Sequence, residues 1–148
     1  MSPLFGDKEE RAAKRAAADA EVERLLALTV WELAAEILPT FGAGGIHSGG
    51  MKRDWSGEIG DEIAKSLVGA RSAGPSSVTS RQALSIPILE AIQALESAGL
   101  LLWTLEHRRG FGSFDHQQRL QITRLGQATL DEGRARVYLR DPAANPES

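Results

Sequence analysis

The chain predicts a mainly α fold with one small β-ribbon, an α+β arrangement, and three observations carry that expectation. Apolar residues recur at helical spacing in separate stretches that end near Leu26, Leu38, Val68 and Leu95. The segments 100–106 and 119–123 instead run apolar or alternate over strand lengths, with a polar, glycine-containing loop between them. A capping signature and isolated glycines punctuate the boundaries between these pieces.

With 148 residues, the chain has room for one domain with a core plus an appendage. The 17 Lys and Arg against 20 Asp and Glu leave a net charge of −3, so contact with a polyanion would have to come from a local patch. The absence of cysteine excludes disulfides, thiolate metal sites and a cysteine nucleophile. No apolar run approaches the roughly 18 residues that span a bilayer. The start, MSPLFGDKEERAAKR, lacks the basic and apolar regions of a signal peptide, and Ser2 does not fit myristoylation. The expectation is a cytoplasmic protein without a membrane segment.

Residues 7–28 are rich in Ala, Glu, Arg and Lys, all good helix formers, with Glu10 and Lys14 at i,i+4 spacing. The apolar face holds only Ala until Val22, Leu25 and Leu26. This predicts a charged leader helix, 1–28, exposed at first and docked at its end; the alternative is an arm for homodimerisation. Thr29-Val-Trp-Glu32 is a capping box that opens a second helix, with Val30, Leu33, Ala34, Ile37 and Leu38 on its core face and Pro39 and Gly42 at its end. Residues 42–57 form a glycine-rich connection with a short strand near Met51. Their order does not match a phosphate loop, since Met51 rather than Lys follows Gly50.

A third helix follows from Ile59, Ile63, Ala64, Leu67 and Val68, with Gly69 as its stop. The fourth begins between Ser80 and Ser85, with Ser85 as cap, Pro87 in the first turn and Leu84, Ile88, Ile92 and Leu95 as the buried stripe. Gly99 ends it. A strand from Leu100 to Glu106 should bury its Leu101, Trp103 and Leu105 face, and a second from Arg119 to Thr123 should bury Leu120 and Ile122. Thr123 caps a last helix. The globular domain is thus expected over 29–140, with 141–148 as a disordered tail.

This order of parts, together with Leu95-Glu-Ser-Ala-Gly-Leu-Leu101 and Leu120-Gln-Ile-Thr-Arg-Leu-Gly126, resembles a winged helix-turn-helix of the MarR and PadR type transcriptional regulators, here with an added N-terminal helix. In that comparison Gly99 supplies the left-handed turn from helix to strand, and Gly126 lets a helix approach the sheet. The resemblance implies that the second helix of the motif lies in the major groove of double-stranded DNA. Carried over by position, that window holds Ser80, Arg81, Gln82 and Ser85, with Glu90 at its edge. Arg81 and Gln82 suit guanine and adenine edges, whereas the stretch from Ser85 to Glu90 holds no cation.

The expected wing gathers His107, Arg108 and Arg109 at one shoulder, with Arg119 across the ribbon and Arg124 beyond it. Such a group attracts phosphates or a narrow minor groove. Wings of the MarR type carry Asp-x-Arg, but here Asp115 is followed by His116 and Gln117. Phe111 and Phe114 beside the arginines make either a protein-binding patch or a cover for the core. Two functions follow: a non-catalytic DNA-binding regulator of transcription, or a winged-helix protein–protein interaction module without DNA binding. No cofactor or catalytic centre is expected. His107, Asp115 and His116 lack the helical spacing and the fourth ligand of a metal site, and no nucleophile–base pattern appears.

Overall fold

In the computed structural model the chain is described over residues 3–52, 59–71, 78–107 and 116–140. Its elements are α1 (Pro3–Leu26), α2 (Val30–Phe41), β1 (Met51–Lys52), α3 (Ile59–Arg71), α4 (Val78–Gln82), α5 (Ser85–Ser97), β2 (Leu101–His107), β3 (His116–Ile122), α6 (Arg124–Asp131) and α7 (Ala135–Arg140). The fold is mainly helical with a three-stranded antiparallel sheet in the order β1-β3-β2.

α1 docks through its C-terminal half, where Ala18, Val22 and Leu25 are buried, while the side chains from Asp7 to Ala17 are all exposed. Leu26, expected in the core, is 37% exposed, and Leu28 packs against the core in its place. The docking is oriented by charge. Arg24 donates to both oxygens of Glu36 on α2 at 2.8 Å and to Glu21 at 2.6 and 2.9 Å. Arg71 of α3 approaches the same two carboxylates at 3.8 and 3.9 Å.

The turn to α2 is set by the capping box. The Glu32 amide donates to Thr29 Oγ1 at 3.2 Å and the Thr29 amide to Glu32 Oε2 at 3.0 Å. Leu33, Ala34, Ile37, Leu38 and Phe41 are buried, and Val30 is half-buried. Pro39 does not stop the helix, which runs on to Phe41 and is capped by Gly42. A proline removes one hydrogen bond but leaves φ helical, so a helix near its end can carry it.

The stretch from Gly42 to Gly50 is a succession of hydrogen-bonded turns rather than a loose link. Gly45 donates to Gly42, Ser48 to Gly45 and Gly50 to His47, all through the backbone. The Ala43 amide is also held by Gln127 Oε1 at 2.9 Å.

α3 continues two residues past Gly69, the expected stop, to Arg71. Its Gly60 lies against α5, because a Cβ there would come within 3.0 Å of Ser85 Oγ and 3.3 Å of its Cα. The glycine that weakens α3 intrinsically thus lets the two helices approach. The expected fourth helix is two pieces, α4 and α5, joined by a turn at Ala83 and Leu84. Ser85 is not the cap. That position is Leu84, which makes no side-chain cap bond and is fully buried, so core packing rather than capping fixes the start of α5. Pro87 sits in the first turn as expected, and Ile88, Ile92 and Leu95 are buried with Leu84.

α5 ends as expected at Gly99, whose φ is +76°. The Leu100 amide returns to Leu95 and the Gly99 amide to Glu96, a Schellman closure that turns the chain into β2. β2 and β3 pair antiparallel from Leu101↔Ile122 to His107↔His116, and β1 adds to β3 through Met51↔Leu120. Leu101 and Leu120 are buried and Trp103 is half-buried, but Leu105, expected on the buried face, is 61% exposed. By that rung the ribbon has run beyond its buried residues, Leu101 and Leu120.

Thr123 caps α6 by accepting from the Gly126 amide at 2.9 Å and donates to the Gly99 carbonyl at 2.6 Å. A Cβ at Gly126 would collide with the Leu100 carbonyl, which is the close approach expected of this glycine. The single closing helix expected from the sequence is broken at Gly133, φ +65°, into α6 and α7, and this brings Leu139 into the core against α2.

Candidate interaction surface

The residues expected to form one DNA-reading helix are divided between two elements. Ser80, Arg81 and Gln82 belong to α4, and Ser85 opens α5 against Gly60 of α3. Arg81 faces α3, where its Nε donates to Asp61 Oδ1 at 3.1 Å and its side chain is 13% exposed. Burial alone would raise the Asp61 carboxyl, but hydrogen bonds from Arg81 and Lys65 outweigh it and hold the group below its usual range. Arg81 is therefore committed to an ion pair that joins α3 and α4. Gln82 is exposed.

What α5 turns outward is apolar and acidic. Ile86 is 68% and Leu89 50% exposed, with Glu90 and Gln93 exposed beside them. No Lys or Arg occurs anywhere in this helix. Its stripe of Leu84, Ile88, Ile92 and Leu95 faces the core, so positions 86, 89, 90 and 93 fall on the opposite side at helical spacing. That signal was present in the sequence. Ile86 and Leu89 are separated from the buried stripe only by helical phase, so they show as a second apolar face once the stripe is placed.

Of the residues expected in a wing, His107 and His116 form the last described rung of the ribbon. Arg108, Arg109, Phe111 and Phe114 lie outside the described residues, as does Asp115. Arg119 is not a wing-tip cation. It stands in the middle of β3, paired with Thr104 on one side and Lys52 on the other, and its Nη1 donates to the Gly49 carbonyl at 2.6 Å. Its aliphatic stem packs over Gly50, where a Cβ would come within 2.9 Å of Arg119 Cγ and Cδ, so the missing side chain leaves room for it. Arg119 thus straps the glycine turns to the sheet. Arg124 is exposed in the first turn of α6, away from the ribbon's far end.

His47 makes a second polar cluster, packing at 5.4 Å on the Phe41 ring with Nε2 3.0 Å from Ser66 Oγ. Ser66 Oγ donates to the Glu62 carbonyl at 2.9 Å, so in this pair the imidazole donates and the hydroxyl accepts. A histidine activating a serine needs the reverse polarity. Burial pushes the pKa of the ring down, against the smaller opposing effect of Glu62. Among the described residues no group of three or more His, Asp or Glu side chains is arranged to hold a metal ion, and no helix is long and apolar enough to cross a membrane.

No protein-family model, no curated protein and no solved structure matches this chain.

Proposed function

We propose that the chain is a winged-helix protein that works as a protein-interaction module, with the outward face of α5 as its docking surface. The winged-helix reading is supported by the order of elements and by the pairing of β1 onto β3, which gives the sheet order β1-β3-β2 between and after the helices. The observation that carries the functional reading is the pair Ile86 and Leu89, exposed on a helix without a cation and flanked by Glu90. A helix entering a DNA groove meets two rows of phosphates, and an apolar, acidic face without a cation has nothing to pair with them and repels them through Glu90. A protein surface offers both apolar burial and cations for Glu90.

Arg81 supports the same conclusion, because pairing it with DNA would require breaking its contact with Asp61. A salt titration with random-sequence duplex tests the reading: no binding is expected at low salt. Duplex binding that falls steeply as salt rises, and that weakens on charge reversal at Arg81, would overturn it. In the source cell, a photo-crosslinker at Leu89 should yield a discrete protein adduct that disappears when Ile86→Glu is added.

A further inference from the structure

β2 is the outermost strand on its side of the sheet, since the order is β1-β3-β2. Two contacts fix its phase against β3. The Thr123 amide donates to the Leu100 carbonyl at 3.0 Å, and the Thr104 hydroxyl donates to the Arg119 carbonyl at 3.2 Å. Residues 100, 102, 104 and 106 therefore turn their main-chain groups to β3. In an antiparallel ladder the alternate residues, Leu101, Trp103, Leu105 and His107, turn theirs to the opposite side. No described residue hydrogen-bonds to them there. Proteins blunt such an edge with proline, lysine or a bulge, and LLWTLEH has none of these over its 7 residues.

We propose that this edge receives the β2 strand of a second copy of the chain, antiparallel about a two-fold axis at Thr104. Hydrogen bonding selects both direction and register. With Thr104 on the axis, Leu101 stands opposite His107 and Trp103 opposite Leu105, each twice by symmetry. These are the outward-turned residues, so each finds main-chain partners in the other copy. Sliding the strands by one residue sets outward groups against inward ones, and sliding by two leaves an outward residue of each β2 with no strand opposite. A parallel pair about a two-fold axis would set each outward amide against its own copy rather than against a carbonyl.

The side chains fit the same register. Leu101, Trp103 and Leu105 share one face of the sheet, where Leu101 is buried, Trp103 half-buried and Leu105 61% exposed. Pairing lays Trp103 of the second copy beside Leu105 and covers the most exposed of the three. An aromatic beside an aliphatic is a favoured cross-strand pair. The chain's own C-terminal residues, DPAANPES, make a poor alternative, because a proline cannot donate to a ladder and both Pro142 and Pro146 fall among them. None of the paired residues lies on the outward face of α5, so the pairing is independent of what docks there.

Sedimentation of the full chain over a concentration series tests it, with a monomer–dimer equilibrium expected. Leu105→Asp should weaken the association by roughly tenfold, because the contact with Trp103 is lost twice. Leu105→Pro should weaken it at least as much while β2 stays on β3, because the amide it removes points away from β3. Hydrogen exchange reads that pairing, and the Leu102 and Thr104 amides should stay protected in the variant. The chain has no cysteine, and opposite residues between hydrogen-bonded pairs lie about 4.5 Å apart, so T104C should link to its own copy by a disulfide. L102C stands opposite Glu106 in this register, so it should link to E106C in a mixture and not to itself. A chain that stays monomeric up to about 1 mM, the weakest association of interest, overturns the proposal. So does a dimer that both Leu105 variants leave unchanged, which would be built from another surface, α1 included. Self-linking of L102C as fast as that of T104C overturns the register and the proposal with it.

Discussion

α1 and α5 both place one apolar stripe in the same core, yet their outward faces differ in kind. α1 buries Ala18, Val22 and Leu25 and then leaves the body, and every side chain from Asp7 to Ala17 is either charged or alanine. α5 is seated along its length by Ile88, Ala91, Ile92 and Leu95, yet it leaves Ile86 and Leu89 in water. Fully burying a side chain of that size is worth about 1.5–3 kcal/mol, so the α5 face keeps a driving force that the α1 surface lacks. A charged helix can remain solvated or be matched by complementary charge. An apolar face gains only by being covered.

Thermal unfolding of variants in the two helices can break that comparison. The largest effect should come from the core side of α5. Ile88→Ala removes a fully buried side chain and should cost about 3–4 kcal/mol, whereas Val22→Ala on α1, a smaller truncation near the docking edge, should cost about 1–2 kcal/mol. Equal losses would mean that α1 is as integral to the core as α5.

Next in size is the charged seat of α1. Glu36→Gln should cost about 1–2 kcal/mol at neutral pH, since Arg24 loses its charge-assisted partner there while keeping Glu21. The hydrogen bond from Arg24 holds the Glu36 carboxyl below its ordinary value of 4.5 despite partial burial. A depressed acid stabilises the fold fully above that ordinary value, and the contribution is lost as pH falls through the lower folded-state value. Stability of the parent should therefore fall on acidification below about pH 4.5 more steeply than that of the Glu36→Gln variant, and parallel curves would refute the assignment.

A smaller change follows from Thr123→Ala, about 1 kcal/mol, for the lost α6 cap and the lost bond to Gly99. Smallest of all, Ile86→Ser should leave stability within about 0.5 kcal/mol while reducing any cross-link formed at Leu89, because the side chain meets solvent in the isolated chain. A substantial loss of stability would show that Ile86 belongs to the fold rather than to an interface.

Much of the architecture was legible locally. The Thr29–Glu32 box, the Leu84–Leu95 stripe, the Gly99 turn and the Thr123 cap each follow from one or a few residues at short spacing, and the close approach at Gly126 follows from the resemblance in layout. The candidate site was less legible. Arg81 is expected to meet DNA and Arg119 to meet DNA or a protein partner, but Arg81 is turned to Asp61 and Arg119 to the Gly49 carbonyl. Neither partner is near in sequence, so no local pattern announces the pairing.

By itself, then, the sequence determined the capped starts of α2 and α6, the apolar stripes of α2, α3 and α5, and the glycine turn at Gly99, because capping, periodicity and backbone freedom act over a few residues. Tertiary structure alone decided the division of α4 from α5, the exposure of Leu105 beyond the end of the packed sheet, and the return of Leu139 to α2. These depend on which distant surface arrives to cover a side chain or neutralise a charge. Burial and ion pairing are properties of two segments together, and one segment read alone contains only half of each.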